Sequence, residues 1–265
     1  MIIMAYPFVY VIATSFASTK GLTSDFFPTD FTLEAYRSIL SGGIINDALL
    51  VSGGVTVVGT LLSVLFTTTL AYGLMRTKDV PGAKASLYLV LFSMLFSAGI
   101  IPQYLLVKYL GLLNSYWSLI LPGLISAFNL VVVRNFFMDL PDELLESARI
   151  DGAGEVQIFM RIVLPLSKAV IAVIALFYAV GYWNNFFNAL LYINDTGMWP
   201  VQLILNQYVI QSTPLTQLQN PKAIPPPAES LQMAVVVLAT APILIIYPFA
   251  QRYFTKGVLT GAIKG

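Results

Sequence analysis

Between Pro141 and Lys168 the chain reads PDELLESARIDGAGEVQIFMRIVLPLSK, a run of ionisable side chains set between two long apolar stretches. Asp142, Glu143, Glu146, Asp151 and Glu155 outnumber Arg149, Arg161 and Lys168 in it. Carboxylates so grouped can make charge-assisted hydrogen bonds to a basic partner surface. A second cluster, Tyr182, Trp183, Asn184, Asn185, Phe186, Phe187 and Asn188, closes a later apolar run. Aromatic faces stack on sugar rings and amides exchange hydrogen bonds with hydroxyls, which is what a carbohydrate path needs. The same residues also serve as interfacial anchors and as hydrogen bonds between helices, and both readings stand. The 265 residues include no Cys and no His. Disulfides and Cys-ligated metals are thereby excluded, and the commonest general base is missing. No G-x4-G-K-[ST] phosphate loop occurs, so ATPase activity is not encoded.

The elements that carry these groups follow from composition. Hydrophobic residues make up 57% of the chain and charged ones 10%, and the mean hydropathy is +0.80. Those values describe an integral membrane protein, and at about 20 residues per crossing the length suffices for roughly six helices. The apolar runs are Met1 to Phe16, 45–75, 85–108, 115–138, 168–193 and 231–251. They predict an all-α, polytopic transmembrane bundle of six helices in a single domain, 1–265. The first run is short and lacks a charged flank, which suggests a missing N-terminal extension. A signal peptide is the alternative, but the further runs behind it favour an anchor helix.

Orientation follows from Lys and Arg. With residue 1 inside, Arg76, Lys78, Lys84, Arg134, Arg149, Arg161, Lys168, Arg252, Lys256 and Lys264 fall on the cytoplasmic side. Lys20, Arg37, Lys108 and Lys222 remain outside, so both termini are expected in the cytoplasm. The outer loops, about 17–43 and 194–230, are too polar and proline-broken to enter lipid.

The 141–168 segment then joins the fourth and fifth helices in the cytoplasm. Pro141, Asp142 and Glu143 suit a helix start. Leu144, Ala148 and Leu145 give it an apolar face, and Asp151, Gly152 and Gly154 turn the chain. A second short helix, about Glu155 to Val163, carries Ile158, Phe159 and Ile162 and is expected to stop at Pro165. An amphipathic interfacial linker is one reading, but helices that bind anionic lipid are basic and this one is acidic, which favours a protein partner. Elsewhere, Gly59, Ser63, Thr67 and Ala71 form a small-residue ridge for close helix packing. Arg134 and Lys108 read as side chains snorkelling to the interface, with contact to an acidic cargo as the alternative.

Glu146, Ser147 and Ala148, then Gly152, Ile162 and Leu164-Pro165, resemble the EAA signature E-A-A-x3-G-x9-I-x-L-P of binding-protein-dependent ABC importer permeases, with Ser147 in place of the first Ala. The stretches LGLLNSYWSLILPGLISAFNLVVVRNFF, WNNFFNALLYINDTGMWPV and KGVLTGAIKG are similar to the carbohydrate-uptake branch, the maltose-type inner-membrane permeases. The resemblance implies a type I permease fold. It also implies a coupling segment over 141–167, with Glu146, Ser147, Ala148, Asp151, Gly152, Ala153, Ile162, Leu164 and Pro165 against a cytoplasmic ATPase. Implied partners are a second permease, two ATPase subunits, an extracytoplasmic solute-binding protein and an oligosaccharide, with no cofactor in this chain because ATP sits in the ATPase subunits. Tyr182, Trp183, Asn184, Asn185 and Asn188 are the candidate substrate path, although in the maltose system the partner permease supplies most sugar contacts. The Gly- and Lys-bearing tail is expected either to reach into the ATPase dimer or to fray. Two other classes remain: an ABC permease for non-sugar cargo, and a secondary carrier. The secondary carrier is disfavoured because no helix has an Asp, Glu or Lys near its centre.

Overall fold

The computed structural model describes residues 2–17, 30–41, 43–76, 80–207 and 229–245. Expectations for the tail after 245, for Lys78, and for most of the 194–230 loop lie outside the described residues. Helices dominate what is described, and the only strand pairing there is an isolated bridge between Ala17 and Phe31.

The chain order is α1 (Ile2–Ser15), α2 (Glu34–Ser41), α3 (Ile44–Met75), α4 (Ala83–Leu95), α5 (Ile100–Tyr109), α6 (Trp117–Ile120) and α7 (Ala127–Met138). There follow α8 (Asp142–Ile150), α9 (Glu155–Ile158), α10 (Leu164–Leu166), α11 (Lys168–Trp183), α12 (Phe186–Tyr192) and α13 (Val201–Leu205). The last is α14 (Glu229–Ile245). Among these, α3 alone is long and apolar enough to cross a bilayer by itself, while α1, α4 and α14 are shorter apolar helices.

Three of the expected uninterrupted helices are broken. The 85–108 run separates into α4 and α5 because Phe96 is extended and Gly99 takes φ +83°, ψ 176°, a conformation open essentially to glycine. The 115–138 run passes from α6 through a 3-10 turn, Leu121–Gly123 with Pro122 at its start, and resumes at the Ser126 cap of α7, bent by 50°. The 168–193 run breaks at Asn184 and Asn185 between α11 and α12, where amide side chains compete with helical backbone bonds.

The Cα framework divides into two compact units, each woven from several stretches of chain. One draws on Met1–Val55, Leu113–Tyr116 and Trp183–Ile246. Its apolar core joins Ile39 of α2, Ile45 and Ala48 of α3, Val201 and Ile204 of α13, and Ala234, Val235 and Ala239 of α14 around Trp183. The indole N–H of Trp183 donates to the Ala239 carbonyl at 2.9 Å. Ser52 Oγ accepts from Val201 N at 2.8 Å, satisfying a donor that the start of α13 would otherwise bury unpaired. Asn114, at φ +54°, accepts from Asn194 N through its side chain at 2.6 Å and donates its own N–H to Tyr192 O at 2.9 Å. Asn tolerates that left-handed conformation better than most side chains.

The other unit draws on Thr56–Leu112 and Trp117–Tyr182. Here the small-residue ridge of α3 meets α11. A Cβ on Gly59 would lie 2.8 Å from the Tyr182 ring, so glycine is what lets that ring lie against α3. Ser63 Oγ and the Tyr182 hydroxyl are 2.8 Å apart, and Thr67 Oγ1 and the Tyr178 hydroxyl 2.7 Å. Both hydroxyls also hold the break between α6 and α7: Tyr182 donates to Ile120 O at 3.2 Å, and Tyr178 accepts from Ser126 N at 2.9 Å. The ladder thus satisfies backbone groups freed by the break, which a membrane interior cannot leave unpaired. Ala71 completes the ridge and is fully buried.

Candidate coupling site

The segment after α7 folds as a short helix, a turn and a second helical stretch. Pro141 occupies the N-cap of α8, Asp142 and Glu143 fill its first turn and Arg149 its last, an order that complements the helix dipole. The helix ends in a Schellman arrangement. Ala153 N donates to Ala148 O at 2.9 Å and Gly152 N to Arg149 O at 3.0 Å, with Gly152 at φ +83°. Gly152 is therefore required by its backbone conformation, since a Cβ there would meet nothing within 4 Å.

The second stretch departs from expectation. Helix α9 passes into a π-turn, Phe159–Val163, and on into α10, so Pro165 does not stop it. A regular helix would press the Pro165 ring onto the Arg161 carbonyl, and the wider π-turn relieves that clash. The stop falls at Ser167, where Glu155–Leu166 and Lys168–Trp183 meet at 82°.

Burial separates an anchoring face from a presented one. Leu145, Ile158, Phe159 and Val163 are buried, whereas Leu144, expected on the apolar face, is exposed. Of the signature positions, Glu146, Ser147, Asp151, Gly152 and Pro165 are exposed, and Ala148, Ala153, Ile162 and Leu164 are half-buried. Ser147 turns its hydroxyl back to Leu144 O at 3.2 Å, leaving the presented face smooth at that point. Two apolar side chains flank the turn almost fully exposed, Ile150 at 86% and Val156 at 73%.

One group in this segment escaped the sequence reading. Glu155 Oε1 accepts from Arg76 Nη1 at 2.8 Å and from Arg149 Nε at 3.2 Å, and Oε2 accepts from the Tyr72 hydroxyl. Desolvation works against its charged form, but the hydrogen bonds from Tyr72 and Arg76 and the Arg76 charge outweigh that and hold the carboxyl below its ordinary range. The Tyr72 ring also packs against Phe159, centroids 5.0 Å apart. No local pattern marks the set, since Tyr72 and Arg76 are about eighty residues away in sequence.

The aromatic and amide cluster is dispersed. Tyr182 is buried in the α3–α11 ladder and Trp183 is buried in the core of the other unit, so both have packing roles. Asn184 is exposed at the helix break, and Asn185 and Asn188 are half-buried. Arg134 Nε donates to Leu74 O at 2.8 Å, capping the C-terminal turn of α3. Lys108 is exposed in the last turn of α5.

Residues 85–260 match the family described as "Binding-protein-dependent transport system inner membrane component". The polygalacturonan/rhamnogalacturonan transport system permease protein YtcP of Bacillus subtilis (strain 168) is 49% identical over 269 residues, covering 100% of this chain and 94% of the relative. The arabinooligosaccharides transport system permease protein AraQ of Halalkalibacterium halodurans is 30% identical, over 99% of this chain and 92% of its own. Among solved structures, a bacterial ABC transporter involved in the import of the acidic polysaccharide alginate superposes with a TM-score of 0.87 at 28% identity, covering 95% of this chain and 91% of that one. An exposed, Schellman-terminated helix carrying Glu146, Ser147 and Ala148, set in a membrane chain whose described residues are mainly helical and whose relatives over nearly the whole length are permeases, leads to one conclusion: this protein belongs to the inner-membrane permeases of binding-protein-dependent ABC transport systems.

Proposed function

We propose that this chain is one of two different permease subunits lining the translocation path of an importer for uronate-containing oligosaccharides, driven by ATP hydrolysed in two cytoplasmic ATPase subunits. The whole chain acts as a single permease domain with six spans, formed by α1, α3, α4 with α5, α6 with α7, α11 with α12, and α14. Both termini face the cytoplasm, and an extracytoplasmic solute-binding protein docks outside. No cofactor is held here.

The observation that carries the coupling role is the division of faces in 141–167. Leu145, Ile158, Phe159 and Val163 root the segment in the protein, while Glu146, Asp151 and Gly152 stand outward with Ile150 and Val156 beside them. Such a surface, apolar knobs rimmed by carboxylates, suits a basic-edged groove on a partner. ATP-driven motion of that groove displaces the segment and biases the helices between outward and inward access. The acidic-sugar reading draws on the names of YtcP and the alginate importer.

The cargo is tested by uptake into proteoliposomes holding the complete complex, with labelled oligogalacturonides competed by neutral arabino- and malto-oligosaccharides. Uptake of the acidic oligomers, resistant to neutral competitors, is the expected result. Uptake of neutral oligomers alone would overturn the acidic assignment.

A further inference from the structure

The three-donor site on Glu155 ties the coupling segment to a specific helix end. Tyr72 is in the last turn of α3, Arg76 directly follows it, and Arg149 is in the last turn of α8. All three converge on the one carboxylate that opens α9. Arg76 Nη2 and Arg149 Nη2 are shielded from solvent and have no hydrogen-bond partner. The two guanidinium groups therefore depend on Glu155, and without it two like charges would face each other in a partly desolvated place. The same end of α3 is held from another side by Arg134 on Leu74 O, and the helix is clamped along its length to Tyr178 and Tyr182 of α11. Displacement of α8 would thus reach α3 directly through Glu155 as well as through the chain connection into α11.

We propose that Glu155 is a positioning residue for transport: it latches the coupling segment to the cytoplasmic end of α3, so that the segment and that helix move as one body when the ATPase subunits close. The proposal rests on the coupling reading above. It assigns to Glu155, Arg76 and Tyr72 the delivery of motion, as distinct from contact with the ATPase.

The test uses the complete complex in proteoliposomes, with the solute-binding protein and a polygalacturonan digest, reading uptake and ATP hydrolysis together. Glu155→Gln and Arg76→Gln should each retain the ATPase subunits on purification and lower uptake per ATP about fivefold or more. The double variant should be no worse than the poorer single, because both remove the same contact. The chain has no Cys, so spin labels at the exposed positions Leu144→Cys and Phe66→Cys give a reading independent of cargo. Their separation should be the same in nucleotide-free and vanadate-trapped states with Glu155 present, and should change with Glu155→Gln. Should Glu155→Gln fail to assemble, Tyr72→Phe removes one donor and should move both readings in the same direction by less. Wild-type uptake per ATP, or an unchanged separation, overturns the latch. If Gly152→Asp has meanwhile lost coupling, only the latch falls; if Gly152→Asp is also normal, the coupling reading falls with it.

Discussion

At the scale of single residues, two positions in the coupling segment act through different physics. Gly152 is demanded by its φ of +83°, and a Cβ there would meet nothing within 4 Å. Gly152→Ala should therefore cost about 1 kcal/mol through backbone strain at the end of α8, with no clash. ATPase stimulation by the loaded binding protein should be partly retained in that variant. Glu155 acts through charge. Its folded-state pKa is lowered, so its stabilising contribution is complete above the ordinary carboxyl value of 4.5 and is lost as pH falls through the lower native value. Thermal unfolding of wild type and Glu155→Gln should differ by a constant margin from neutral pH down to that region, and the margin should shrink below it. Of these two residues, Gly152 was legible in the sequence because a turn after a short amphipathic helix leaves a local signature. Glu155 was not, since its meaning lies in the distant Tyr72 and Arg76.

At the scale of helices, the ridge on α3 was readable as small residues at fixed spacing, but its target was not. Tyr178 and Tyr182 are more than a hundred residues further along, and nothing local says that their hydroxyls will serve Ser63, Thr67 and a broken helix at once. Two glycines of α3 offer a direct comparison. Gly59→Ala drives a methyl into the Tyr182 ring and should cost about 1 to 3 kcal/mol. Gly73→Ala meets nothing within 4 Å and should be neutral or slightly stabilising through helix propensity. Unfolding of the purified complex in detergent separates the two. The breaks at Gly99, Pro122 and Asn184 escaped the hydropathy runs because apolar side chains continue on both sides of each. Backbone conformation decides those breaks, and the average polarity of a window does not register it. In the aromatic cluster, side-chain type does not announce that the Trp183 N–H and the Tyr182 hydroxyl bond to the carbonyls of Ala239 and Ile120, which lie far away in sequence.

At the scale of the whole molecule, extreme apolarity and membership of the binding-protein-dependent transport permeases describe a membrane subunit, and on the proposed reading partner ATPase subunits supply its energy. On that reading the acidic, turn-broken segment 141–167 is where that energy enters. Its outward side exposes Ile150 and Val156 among carboxylates, and Glu155 and Phe159 join it to Arg76 and Tyr72 at the end of α3. The central claim is that this segment couples a partner's ATP hydrolysis to transport. The most direct measurement is the ATPase rate of the reconstituted complex, with and without the solute-binding protein carrying oligogalacturonide, in wild type and Gly152→Asp. The account predicts stimulation in wild type and its loss in Gly152→Asp while the permease pair remains inserted. Equal stimulation in both would contradict it.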